Sequence, residues 1–288
     1  MAFIEASDGV ELYVERHPRG RSGGGLPILF SCAYSTTRAN WYPQAASLAE
    51  AGYRVGLWDY RGHGLSSAPD AAEAYTMSQV VSDLGRIVDW LAPGEACVLA
   101  GLSFGGLASL HYAFAHPERV AGLVLAGTGP GFKNAEAAAE WRRRSEKTAD
   151  YIESRGLEEF VSGKAGATCV GRKPELPAAQ RAADAIRAQN ARGLAQFGRH
   201  VTGSAPSVID ELQHIDAPAL VVVGEEDLGF LRAAEVMAAK LPRCQYERIA
   251  GAGHIVNIEA ADVFNRLLTG FLAGIPIPAP APPDSPGG

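Results

Sequence analysis

The chain has no apolar run approaching the ~18 residues that cross a bilayer, no His-Glu-x-x-His, and no cysteine pair at metal-binding spacing. These absences exclude a membrane-spanning helix and the common zinc frameworks. His111 and His116 stand five apart on a helical stretch, which turns them away from a common face. Cysteine is sparse: Cys32, Cys97, Cys169 and Cys244 are scattered through 288 residues. A free thiol in a strand-like apolar run behaves as a small hydrophobe, so a reduced, cytoplasmic setting is expected. "MAFIEASDGVELYVER" carries early acidic residues and no apolar stretch of the kind a secretory signal needs. An excess of positive charge is missing too. With 26 Lys and Arg against 32 Asp and Glu, the net charge is -6, and nucleic acid is not an expected partner. The one basic run, "WRRRSEK" (141–147), is bracketed by Glu140 and Glu146 and reads as a solvated helix face.

What is present points to a large α/β core. Hydrophobic residues make up 47% of the chain, enough for a sizeable interior. Residues 3–15 alternate apolar and polar around Asp8-Gly9, the pattern of an antiparallel hairpin. Nearly uninterrupted apolar runs follow: "PILFSC" (27–32), "YRVGLWDY" (53–60), "ACVLAGLS" (96–103), "VAGLVLAG" (120–127), "PALVVVGEED" (218–227) and "CQYERIA" (244–250). Such runs mark strands buried on both faces. Between them Val80, Val81, Leu84, Ile87, Val88 and Leu91 keep helical spacing over 76–91. The expectation is a doubly wound, mostly parallel sheet of about eight strands with an antiparallel N-terminal edge. The alternation lapses over 129–206, which has helical stretches near 134–155 and 178–200 and no strand run. This predicts a helical insertion over the carboxyl ends of the strands, between core segments 1–128 and 207–273. Residues 274–288 are Pro-rich and are expected to form a flexible tail.

Gly-x-Ser-x-Gly occurs twice, at Gly101-Ser103-Gly105 and at Gly20-Ser22-Gly24. Only Ser103 sits where a strand gives way to a helix, the context in which a strained turn lifts a serine Oγ clear of the sheet. Ser22 lies in "RGRSGGGLP", a glycine-rich link with no helix behind it. A serine hydroxyl needs a base, and the base an orienting acid. Asp227, at the end of "PALVVVGEED", and His254, in "RIAGAGHIVNIE", follow Ser103 in the chain order that such a turn requires. Glu226 is the weaker acid candidate, because adjacent residues on a strand face opposite sides.

With "GLSFGG", "WDYRGHGLSS" (58–67) and "GAGHIVNIE" in place, the chain resembles the α/β-hydrolase superfamily over nearly its whole length. The resemblance implies that residues 129–206 are a cap shaping a substrate pocket. It also implies that the backbone N–H groups of Ala33 and Phe104 form an oxyanion hole. Most members carry His-Gly before the first of these donors, whereas this chain has Ser31-Cys32 in "FSCAYSTT". Cysteine tolerates positive φ less well than glycine, which makes the path of this loop a question for the structure. Tyr34, Trp41, Phe132 and Val256 are the candidate pocket residues, with Trp41 equally able to serve as an anchor for the next helix. Cys32, without a partnering His or Asn, is read as structural or pocket-lining, and His63 as structural.

The chemistry expected is hydrolysis of a small ester or lactone through an acyl-enzyme, with no metal and no cofactor. Carbon–carbon bond hydrolysis, cofactor-free perhydrolysis and a non-catalytic receptor on the same fold are the alternatives. A dinucleotide site in "LVLAGTGPGF" is disfavoured by Phe132 where Gly or Ala belongs. A homo-oligomer is left open.

Overall fold

The computed structural model of the protein describes residues 2–17 and 25–276. Ser22 and residues 277–288 of the tail lie outside them. The chain opens with the expected hairpin, β1 (Ala2–Glu5) and β2 (Glu11–Arg16), closed by Ala6 N–H donating to Val10 O at 2.8 Å. It continues as β3 (Pro27–Ser31), α1 (Tyr42–Glu50), β4 (Arg54–Trp58), α2 (Met77–Leu91), β5 (Cys97–Leu102), α3 (Phe104–Ala115) and β6 (Val120–Ala126). Four helices follow without a strand: α4 (Ala135–Ser162), α5 (Ala167–Val170), α6 (Pro177–Arg187) and α7 (Ala191–His200). The remainder is β7 (Ala219–Gly224), α8 (Leu231–Lys240), β8 (Cys244–Ile249), α9 (Val256–Glu259) and α10 (Ala261–Ala273).

The strands form one sheet in the order β1-β2-β4-β3-β5-β6-β7-β8. β1 and β2 are antiparallel, and every pairing from β3–β4 onward is parallel. The period of two along each strand sorts side chains into two cores. Leu29, Leu99, Leu123, Leu125, Val221 and Val223 face one side with α2, α3 and α8. Ile28, Phe30, Val98, Val124, Leu220 and Val222 face the other with α1 and α10. Both faces are covered, which is why these strands read as continuous apolar runs rather than as alternating ones; β8 departs from the expectation, since at the edge of the sheet only Ile249 of its six residues is buried. Each such side chain, fully buried, contributes about 1.5–3 kcal/mol.

The helical segment joins the second core. Ile152, Leu157, Phe160, Val170, Ile186 and Leu194 pack into the same cluster as the strand residues. Two boundaries differ from expectation. The helix expected over 178–200 is two helices, because Asn190 leaves the helical conformation and caps α7 by accepting from Gly193 N–H at 2.9 Å. The tail does not begin at 274: Ile275 is buried in the second core, where its side chain lies against Gly122.

Candidate active site

Parallel strands bring their carboxyl ends to one edge of the sheet, and the candidate residues follow those ends. Ser103, one residue past β5, has φ 52° and ψ -116°, one of two non-glycine residues with positive φ among those described. Such backbone is costly for a residue with a Cβ and is held by its surroundings. Ser103 N–H donates to Ala126 O at 2.8 Å, and Thr128 Oγ1 donates to Ser103 O at 2.5 Å. The glycines of the motif permit the close approach. A Cβ on Gly101 would lie 2.2 Å from the Gly105 carbonyl carbon, and one on Gly105 would lie 2.3 Å from Ser31 O.

From Ser103 a run of backbone bonds crosses the sheet edge. Gly127 N–H donates to Val222 O and Glu226 N–H to Ala252 O, both at 2.9 Å. At the far end His254 Nδ1 is 2.8 Å from Asp227 Oδ2, in a pair with side-chain exposures of only 14% and 8%. Asp227 lies three residues beyond β7, in a turn rather than on the strand. Gly127 lies against this pair; a Cβ there would sit 3.3 Å from His254 Nδ1 and 3.4 Å from Asp227 Oδ2. Glu226 turns outward and pairs with Arg172. Among the described residues, neither Ser103 Oγ nor His254 Nε2 takes part in a hydrogen bond. Such contacts are often long without substrate and tighten when it binds.

The loop after β3 crosses the start of α3. Among the described residues, the Ala33 and Phe104 amides donate to no acceptor. Phe104 N–H is one of the unpaired donors at the positive end of a helix. Cys32 does not take the left-handed conformation expected of the glycine it replaces; positive φ falls instead on Ser35, at 63°. Ser35 is held from three sides. Its N–H donates to His63 Nε2 at 3.2 Å, its carbonyl accepts from Gln189 Nε2 at 2.8 Å, and its Oγ is 3.2 Å from Cys169 Sγ. Cys32 is fully buried and its thiol is pushed up in pKa by desolvation, the opposite of an activated nucleophile.

The four candidate pocket residues separate. Tyr34 stacks on Phe197 with centroids 6.2 Å apart and donates its hydroxyl to Leu194 O of α7 at 3.1 Å. Phe132 is exposed and packs on Trp141 of α4. Trp41 and Val256 are corrections. Trp41 has no exposed surface; its ring packs between Phe30 and Phe264, and its Nε1 donates to Ser31 O at 3.0 Å. It anchors the end of β3 and lines no pocket. Val256 is fully buried in the second core, where α9 places it among apolar neighbours.

In "WDYRGHGLSS", Asp59, Arg61 and His63 are buried, while Leu65 is 56% exposed. Asp59 accepts from Arg38 N–H at 2.9 Å and Leu65 N–H at 3.1 Å, while Arg61 pairs with Asp83 through two bonds of 2.7 and 2.8 Å. Three residues beside the site were missed in the sequence. Phe230 stacks on the His254 ring at 4.8 Å, Glu259 accepts from Gly253 N–H at 2.9 Å, and Arg172 bonds Glu259. Glu259 had a signal, standing five residues after His254 in "GHIVNIE"; Arg172, in the polar insertion, had none.

Known proteins resemble this chain in sequence and in fold. A family described as the alpha/beta hydrolase fold matches residues 27–261. A Bacillus subtilis protein with the provisional name 2-succinyl-6-hydroxy-2,4-cyclohexadiene-1-carboxylate synthase is 34% identical over 226 residues, 75% of this chain and 80% of its own. A 3-oxoadipate enol-lactonase of Acinetobacter baylyi is 27% identical over 252 residues, 86% of this chain and 89% of its own. Among solved structures, the enol-lactonase from Burkholderia xenovorans LB400 superposes with a TM-score of 0.80 at 26% identity, covering 94% of this chain and 100% of that one.

Proposed function

The chain belongs to the α/β-hydrolase fold family, and from that premise we propose that it is a serine hydrolase of carboxylic esters or lactones. The observation that carries the reading is the strained serine at the head of α3, on the same sheet edge as a buried Asp227–His254 pair. Ser103 Oγ attacks the substrate carbonyl carbon and gives its proton to His254 Nε2. Asp227 accepts from Nδ1–H, which fixes the tautomer and stabilises the imidazolium. The tetrahedral oxygen accepts from the Ala33 and Phe104 amides, each such donor being worth about 3–4 kcal/mol. His254 then protonates the leaving alkoxide, and water, deprotonated by the same ring, releases the acid from the acyl-enzyme. The chemistry uses no metal and no cofactor.

Helices α4 to α7 serve as the cap, with Tyr34 and Phe132 as pocket walls. The enol-lactonase names among the relatives favour a lactone or small ester as substrate. The cytoplasmic setting expected from the cysteines belongs to the same proposal. A panel of p-nitrophenyl esters of rising chain length, set beside lactones, tests it. Turnover of at least one class should fall by ~10^4-fold or more in Ser103→Ala; undiminished turnover by that variant contradicts the reading. A second reading comes from the 34% relative, whose name describes a synthase. In that case His254 acts as a base on a substrate that forms no acyl-enzyme, and quenched single turnovers trap no ester on Ser103.

A further inference from the structure

Arg172, in the connection between α5 and α6, reaches acceptors on two turns of the site at once. Its Nε donates to Glu259 Oε2 at 3.0 Å, its Nη2 to Gly251 O at 3.1 Å, and its Nη1 to Glu226 Oε2. Glu226 directly precedes Asp227, while Gly251 and Glu259 bracket His254. The Glu259 side chain has no exposed surface, and the oxygen that binds Arg172 also accepts the Gly253 amide at 2.9 Å. Gly253 immediately precedes His254, so one carboxylate oxygen joins the guanidinium to the backbone that carries the histidine.

The Arg172 side chain is 38% exposed, but on the side of Gly253 and Gly171 the contact is tightly packed. A Cβ on Gly253 would lie 2.7 Å from Arg172 Nε and 2.9 Å from Glu259 Oε1, and one on Gly171 would lie 2.9 Å from Glu259 Cγ. Glu259 Oε1 has no hydrogen-bond partner, so the buried charge is compensated through Oε2 alone. Without the guanidinium, Oε2 would keep only the Gly253 amide as donor, and the buried carboxylate would lose the partner that compensates it. Lys173 Nζ donates to Glu259 O at 3.0 Å, which adds a second tie between the helical segment and the same turn.

We infer that Arg172 is a positioning residue: through Glu259 and Gly253 it sets the place of His254 relative to Asp227, and so makes the alignment of the catalytic turns depend on the helical segment. This rests on the reading of Ser103, Asp227 and His254 as the catalytic groups. The alternative is a clamp that only holds the segment down, which lowers stability and leaves the chemistry alone.

Inactivation by a fluorophosphonate separates the two without knowledge of the natural substrate, since kinact reads the attack by serine and KI reads binding. In Arg172→Met, kinact should fall about 10- to 100-fold, the scale set by small misplacements of a reacting group, with KI within about twofold. Glu259→Gln, the same shape without the charge, should fall similarly. The double variant should be no slower than the slower single variant, because both act through one contact, and Arg172→Lys should recover part of the loss. A kinact equal to wild type in Arg172→Met and Glu259→Gln overturns the inference, whatever the fall in Tm; so do losses that multiply in the double variant. If Arg172→Met fails to fold, Glu259→Gln and Arg172→Lys carry the same comparison, and wild-type kinact in both overturns it. Ser103→Ala keeps the two readings apart: labelling that survives there removes the catalytic assignment, whereas labelling lost there but unchanged in the Arg172 and Glu259 variants removes only the positioning role.

Discussion

Two turns at the carboxyl edge of the sheet each carry a histidine after a glycine, and the two rings differ in what they are bonded to. In the turn at 58–67, His63 is 1% exposed and both of its nitrogens meet backbone: Nε2 accepts from Ser35 N–H at 3.2 Å, and Nδ1 donates to Arg61 O at 3.3 Å. Desolvation lowers its pKa to about 4, so it is a neutral strut holding the left-handed Ser35. In the turn at 249–259, His254 meets a carboxylate through Nδ1, and its other nitrogen has no hydrogen-bond partner among the described residues. A ring bonded to two backbone groups has no nitrogen left for a proton from elsewhere. One bonded to a carboxylate keeps a nitrogen free and can carry the charge that proton brings. Burial and partners, rather than residue type, distinguish the two rings.

The comparison breaks most visibly if the roles are exchanged by substitution. His254→Ala should lower kcat by ~10^4- to 10^6-fold, far more than any loss of folded protein accounts for, and the steady-state rate on the best ester of the panel measures it. Asp227→Asn, which keeps the shape but favours the wrong tautomer, should cost ~10^4-fold in kcat on the same assay. His63→Ala should do the reverse. Losing a buried ring and leaving Ser35 N–H unpaired costs about 3 kcal/mol or more of stability, read by denaturant titration, with kcat reduced far less than in His254→Ala.

A pH series sharpens the same contrast. His63 has its pKa lowered from 6.5 unfolded to about 4 folded, so the unfolded chain binds the extra proton between those values. The stability that the neutral ring contributes is whole above pH 6.5 and is lost as pH falls toward 4, by on the order of 3 kcal/mol. The stability gap between wild type and His63→Asn should therefore narrow over that window. Glu226→Gln should have the smallest effect on turnover, a few-fold at most, since this exposed carboxylate faces Arg172 and not His254.

The fold was legible because its signals are local. Buried parallel strands write themselves as apolar runs, and α2 shows its buried face at helical spacing. The break at Asn190 was missed because the helical composition continues on both sides of it. That Ser103, Asp227 and His254 would lie along one edge of the sheet was legible because parallel strand ends share that edge. Trp41 and Val256 could not be placed, because an apolar residue beside a strand end serves a core as readily as a pocket, and only burial distinguishes the two. Arg172 was invisible for a different reason: its partners, Glu226, Gly251 and Glu259, lie more than fifty residues away along the chain.

The central claim, that Ser103 is the nucleophile served by His254, is tested most directly by intact-mass analysis after fluorophosphonate treatment. One adduct is expected on the wild-type protein, located on the peptide containing Ser103, and none on Ser103→Ala. Labelling of Ser22 or Cys32, or no labelling of the folded wild-type protein, would contradict it.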